Sequence, residues 1–208
     1  MRRPFLTAQW RDLVLLNYEV PAALLAPLVP TGTMLDCHGG RHLASVVGFR
    51  FLDTRLRGYP IPFHQNFEEV NLRFYVRRQA TPTASRRAVV FVRELVPKRA
   101  VAWLARLAYN EPYLRVSMGH RIDAPSAAAP IALDYHWRLR GDEYHLGGSL
   151  GGQPRPLVPL SEAEFITEHY WGFTRQRDGG TIEYQVVHPS WAVADLVEKV
   201  GGKIAKIL

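Results

Sequence analysis

The sequence predicts a mainly β protein of the α+β class, an antiparallel, cone-like or barrel sheet that encloses a pocket, with a few helices packed outside it and at its mouth. Three observations point there. Apolar residues alternate with polar ones in short runs, turn residues separate the runs at short intervals, and eight such runs are enough to close a barrel.

Taken in chain order, the predicted strands are RDLVLLNYEV (11–20), HLASVVGFRFLDTRL (42–56), EEVNLRFYVRR (68–78), RAVVFVREL (87–95), YLRVSMGHRI (113–122), ALDYHWRLR (132–140), YHLGGSLG (144–151) and IEYQVVHPSW (182–191). Four helices are expected between and after them. The first, 21–29, opens on Pro21, tolerated in a first turn, and stops before Pro30. The second runs from about Pro97 to Asn110, with Ala100, Val101, Leu104, Leu107 and Ala108 at helical spacing. The third begins at Ser161 with Glu164 three positions on, a capping-box pattern, and reaches about Tyr170. The fourth is 191–200, followed by a basic tail from about 200. Segments 79–87, 123–132 and 151–160 read as connections rich in Pro, Ala, Ser, Thr or Gly. None shifts composition enough to mark a boundary, so 1–208 reads as one domain.

With 47% apolar and 22% charged residues the chain has a globular composition. No run approaches the ~20 apolar residues of a membrane span, and the Arg-containing start leads into a strand-like segment. The expectation is a cytoplasmic protein that spans no membrane. Cys37 stands alone, which excludes an internal disulfide and a cysteine zinc cage and reads as a buried or inert thiol. The formal charge of +7 is scattered as single or paired arginines, without a recognition helix, zinc finger or RNA-binding sheet signature, so no nucleic-acid partner is expected. His38 and His42 have i, i+4 spacing, but the intervening GGR opposes a helix and no zinc-hydrolase glutamate follows; no metal is expected. Nothing in the chain specifies a cofactor.

Two stretches concentrate chemistry. In HQNFEEVNLRFYV (64–76), Glu69, Asn71, Arg73 and Tyr75 alternate with Val70, Leu72, Phe74 and Val76. The polar set either faces solvent or lines a polar cavity, where Glu69 and Arg73 would set each other's charge state. In TEHYWGFTRQRDGG (167–180), His169, Tyr170 and Trp171 stand at a helix-to-strand junction, as a pocket wall or as core plugs.

Lys98 is a third point of interest, because every other lysine lies at Lys199 or beyond. A lysine is nucleophilic only when neutral, so its pKa must fall from about 10.4 toward 7 or 8. Arg99 and a helix start near Pro97 supply positive charge, the helix dipole contributing about 0.3–1 kcal/mol. Desolvation by Leu95, Val96, Pro97 and Val101 would supply the rest. Against this, consecutive helix residues diverge, and Glu94 is near enough to hold the lysine protonated. A surface lysine and a reactive one both stay open.

RELVPKRA (93–100) resembles the segment of acetoacetate decarboxylases in which an R-E-L strand leads, two residues later than here, into a tyrosine-proline-lysine-lysine run. The resemblance implies the Schiff-base position for Lys98 and the activating position for Arg99. Residues 10–36 are similar to the opening strand, short helix and exit of those enzymes, where Arg11 matches a pocket arginine. Ser45 and TRLRG (54–58) stand about where the decarboxylases place two pocket carboxylates. Over most of its length the chain resembles the YqjF-type conserved proteins, a bacterial group of acetoacetate-decarboxylase-like fold, through residues 5–21, 46–55, 61–76 and 168–184.

Two functions follow from the resemblance. One is an enzyme for small oxo acids or carbonyl compounds, in which Lys98 attacks the carbonyl, Arg99 keeps its amine neutral, and Arg11 or Arg73 holds a carboxylate. The other is a non-catalytic small-molecule binding protein that uses His64, Glu69, Asn71, Arg73, His169, Tyr170 and Trp171. Either way the partner is a small molecule, and a homo-oligomer stays open.

Overall fold

The computed structural model describes residues 4–81, 84–123 and 132–197. In chain order the elements are β1 (Leu6–Glu19), α1 (Ala22–Leu25) with a 3-10 turn at Ala26–Leu28, β2 (Met34–Leu35), β3 (Leu43–Leu56), β4 (Tyr59–Pro60), β5 (Phe67–Thr81) and β6 (Ala84–Val96). They continue with α2 (Arg99–Tyr109), β7 (Tyr113–Arg115), β8 (Ser117–Asp123), β9 (Ala132–Leu139), β10 (Asp142–Leu150), α3 (Glu162–Thr167), β11 (Trp171–Arg175), β12 (Thr181–Gln185) and β13 (Leu196–Val197).

A nine-stranded sheet has the order β1-β3-β5-β6-β11-β12, with β2 on β5, β4 on β3 and β7 on β6; a four-stranded sheet has the order β13-β10-β9-β8. Pairing is antiparallel except where β6 meets β7 and β11. The protein is mainly β with few helices, as predicted, but among the described residues neither sheet closes into a barrel. Where a closing strand pair would stand, side chains meet instead. Trp10 of β1 contacts His188 and Trp191, beyond β12, with ring centroids 6.2 and 6.1 Å apart.

Alternation along the strands gives the large sheet two apolar faces. Val46, Val70, Leu72, Phe74 and Val76 pack on Tyr135, Trp137 and Leu146 of the small sheet. Gly48 is required there, since a Cβ would come within 2.9 Å of both Leu146 and Tyr135. The other face carries Val47, Phe49, Phe51, Phe67 and Val96 under Ala102 of α2, and Leu43, Tyr75 and Val89 under Phe165 and Ile166 of α3. The candidate site lies on this second face.

Several expectations need correction. Residues 191–197 are not helical: Val193 bridges to Arg155, and Leu196 and Val197 pair with β10. The remainder of that predicted helix and the basic tail lie outside the described residues, as does most of 123–132. Residues 79–81 and 84–87 continue the β5 and β6 strands. The third helix keeps its predicted cap, with Ser161 Oγ accepting from the Glu164 amide at 3.1 Å, but it ends at Thr167, and Trp171 opens a strand that alternation alone did not reveal. In α2, Ala102 is buried whereas Trp103, Leu104 and Leu107 are exposed. Cys37 is exposed.

Candidate functional site

Between the second face of the large sheet, β7 and the 184–191 segment lies a cavity of about 130 Å³. Trp10, Leu13, Val47, Phe49, Phe51, Phe91, Val186 and Trp191 form its apolar and aromatic wall, while Glu69, Asn71, Arg73, Glu94, Tyr113 and Tyr184 bring polar atoms to it.

The polar set of β5 points here because strand residues two apart share a face. Glu69, Asn71 and Arg73 therefore line the cavity while Val70, Leu72 and Phe74 fill the core between the sheets. Glu94 arrives by a different route. Along β6, Ala88 and Val90 are in the inter-sheet core and Val92 packs against it, so regular alternation would send residue 94 there too. A bulge intervenes: Leu72 is paired with Arg93, but Arg73 is paired with Phe91. The extra residue reverses the alternation, so Leu95 enters the core and Glu94 turns to the cavity.

The carboxylates are held close together and away from water. Glu69 is 2% and Glu94 3% exposed. Glu69 accepts hydrogen bonds from Asn71 Nδ2 at 3.1 Å and Tyr113 Oη at 3.0 Å. Burial raises its pKa from 4.5 to about 7, against the lowering effect of those two donors, with Glu111 adding a smaller upward push. Burial, Glu69 and Glu111 hold Glu94 well above the ordinary carboxylate range. Glu111, buried in the turn after α2, accepts from Thr174 Oγ1, and its pKa too is raised by burial. Burial first, and then these carboxylates, push the Tyr113 and Tyr184 hydroxyls well above 10, which keeps them protonated as donors.

Three buried polar atoms of the lining residues have no protein partner: Glu94 Oε2, Asn71 Oδ1 and Arg73 Nε. Arg73 Nη2 donates to the Ile166 carbonyl at 3.0 Å. Along β5 the polar lining runs from Glu69 through Asn71, which Glu94 faces across the register, to Arg73, each step about 7 Å along an extended strand.

The other predicted residues lie around this cavity and do not line it. His169 is buried against Tyr75 and Phe165, with both ring nitrogens unpartnered; burial first, then Arg87 and Arg73, lowers its pKa well below 6.5. Tyr170 stacks on His188 at 4.7 Å and donates to Glu168. Trp171 turns toward the inter-sheet core and carries Arg86 over its ring at 4.5 Å. His64 contacts the Pro62 carbonyl in the loop before β5. Arg11 is exposed and bonded to Gln9. Lys98 is half-buried at the N-cap of α2, and Arg99 begins the helix exposed. Ser45 donates to Asn17 Oδ1 at 2.6 Å and shares a hydrogen bond with Tyr75 Oη.

Sequence reading missed Glu94 and Glu111 as site residues. A signal for Glu94 was present: a carboxylate inside the apolar strand AVVFVRELV needs a polar pocket or a bulge. Glu111 and Tyr184 are brought in by tertiary pairing alone. Among the described residues no group of three or more His, Cys, Asp or Glu is arranged to hold a metal, and no helix is long and apolar enough to cross a membrane.

The chain is similar to the uncharacterized protein YqjF of Bacillus subtilis (strain 168), at 27% identity over 169 residues, which are 81% of this chain and 64% of that protein. The match therefore spans less than two thirds of that relative's length. Among solved structures, it resembles acetoacetate decarboxylase from Legionella pneumophila subsp. pneumophila str. Philadelphia 1, with a TM-score of 0.58 and 11% identity over 94% of this chain and 77% of that one. It also resembles an acetoacetate decarboxylase-like enzyme from Sphingomonas wittichii RW1, with a TM-score of 0.60 and 15% identity over 92% and 71%. These likenesses show an acetoacetate-decarboxylase-like fold. The model of the DUF2071 family, described as an uncharacterized conserved protein, matches residues 7–201, and the chain belongs to that family.

Proposed function

We propose that the protein binds a small molecule without covalent attachment in the cavity on the outer face of its large sheet. The observation that carries this reading is the set of buried, unpartnered polar atoms, Glu94 Oε2, Asn71 Oδ1 and Arg73 Nε, on residues lining an otherwise aromatic cavity. A few convergent polar groups in an apolar pocket are what a ligand site needs for orientation and specificity, and an orphaned buried polar atom costs about 1–3 kcal/mol until it finds a partner. A cavity of about 130 Å³ suits a ligand of roughly one ring, since about 150 Å³ accommodates benzene. Trp10 and Trp191 line the cavity and report its occupancy. A screen of ring-sized fragments by tryptophan fluorescence should yield compounds whose signal is lost in Trp191→Phe. A screen in which none perturbs the emission rejects the reading.

A second reading rests on Lys98. It is half-buried and extended, two residues past Val96, which packs in the aromatic cluster beside the cavity. An oxo acid bound there would lose its carbonyl oxygen as water on forming an imine with the Lys98 amine. Of the two arginines considered for the acid's carboxylate, Arg73 is the cavity-lining one. The protonated imine would take up the electron pair released as carbon dioxide or a proton departs. Borohydride trapping with acetoacetate or pyruvate should then add mass at Lys98 and fail in Lys98→Ala. No adduct across several oxo acids ends this reading.

A further inference from the structure

We propose that the ligand of this cavity is an amine, bound as its ammonium ion by Glu94, Asn71 and Glu69 between aromatic walls. The inference rests on the reading of the cavity as a binding site and assigns its chemical class.

Asn71 and Glu94 are opposite one another in the β5–β6 register. The Cβ atoms of such a pair are about 4.5–5.5 Å apart, and Glu69 shares the Asn71 face about 7 Å along the strand. Each of the three is 3% exposed or less. The Asn71 amide is oriented by its own bond: its nitrogen donates to Glu69 Oε1, so its oxygen is the atom left over. Both orphaned atoms on this side of the cavity, Asn71 Oδ1 and Glu94 Oε2, therefore accept when Glu94 is ionised. Neighbouring donors are already engaged by carboxylates: Tyr113 Oη donates to Glu69 and also lies against Glu94, and Thr174 and Tyr184 serve Glu111.

An ammonium group supplies three N–H donors from one atom, enough for Asn71, Glu94 and the Glu69 carboxylate together. Its charge also offsets the burial and the neighbouring carboxylates that raise the Glu94 pKa. Trp10, Trp191, Phe49 and the two tyrosines bring aromatic rings to the cavity, the side-chain type that favours a desolvated cation. Arg73, the one cation among the lining residues, stands about 7 Å beyond Asn71 along β5 with Nη2 donating to the Ile166 carbonyl, so the ammonium is placed on the Glu69 side of Asn71. An anionic ligand at the Glu94 end would meet the carboxylates instead.

The test is calorimetric titration of the full chain at neutral pH with benzylamine, benzyl alcohol and benzoate, three probes of one shape and different charge. Benzylamine should bind about tenfold or more tighter than either of the others, the range expected for hydrogen bonds to a charged group. It should release protons as Glu94 ionises, seen as a heat that changes with the ionisation enthalpy of the buffer. Glu94→Gln, nearly isosteric, should lose that tenfold advantage while its far-UV circular dichroism and thermal unfolding match the native protein, which certifies the fold. Benzyl alcohol or benzoate binding as tightly as benzylamine overturns the amine assignment and leaves the binding site standing. Benzylamine affinity untouched in Glu94→Gln overturns the contact proposed. Failure of all three probes at millimolar concentration overturns both this inference and the binding reading.

Discussion

Glu69 has a pKa of about 7 in the fold and about 4.5 once exposed. A proton bound more tightly in the folded state stabilises it fully below about pH 4.5, and that stabilisation is lost as the pH rises through about 7. The difference amounts to about 3 kcal/mol for Glu69. Urea denaturation across this range should therefore show the stability of the native protein falling relative to Glu69→Gln by about that amount; a constant difference between the two contradicts the assignment. Period-two alternation along β5 put Glu69, Asn71 and Arg73 on one face in the sequence, and left open whether that face met solvent or a cavity. Arg11 was read as a pocket residue from resemblance alone, and its side chain extends to Gln9 at the surface, while the neighbouring Trp10 lines the cavity. Between adjacent strand residues only the facing differs, and nothing in the local sequence signals it at a position so near a β-bulge, which lies between Arg11 and Val14.

The β6 bulge is the element that completes the site. Deleting Val92 would bring Arg93 into the place of Val92 against the small sheet, burying an unpaired charge at about 3–5 kcal/mol. Deleting Arg93 instead would straighten the strand while leaving Val92 and Glu94 on their present faces. Unfolding free energies should separate the two variants by that margin, and equal losses would contradict the role given to the bulge. Gly172 of β11 makes a second prediction, because it is paired with Tyr184 and a Cβ there would overlap the Tyr184 ring. Gly172→Ala should cost about 1–3 kcal/mol through overpacking and displace a tyrosine from the cavity wall; unchanged thermal stability and ligand affinity would refute it. Most strands were legible from alternation, and the capping box of α3 from spacing. Over 191–197 the predicted helix was misread because an apolar spacing compatible with helix is also satisfied by Trp191 stacking on His188 at 4.1 Å and by Leu196 and Val197 pairing with β10. Strand β11 is only five residues long and begins directly after the His169–Tyr170 junction, so it has little periodicity of its own.

At the scale of the whole molecule, two stacked sheets leave one face of the larger sheet for the site, covered by helices and by the segment after β12 instead of a second sheet. The mainly β class was readable, whereas closure was not. Strand number is compatible with a barrel, but whether edges pair depends on long-range contacts, and here Trp10, His188 and Trp191 meet across the gap. The account stands or falls on whether this space takes a small molecule. The most direct measurement is a methyl-detected NMR titration with a fragment hit. The account predicts shifts at Leu13, Val47 and Val186, which line the cavity, while Val46 and Leu146 in the inter-sheet core stay in place. Shifts confined to other surfaces, or none at saturating ligand, would contradict it.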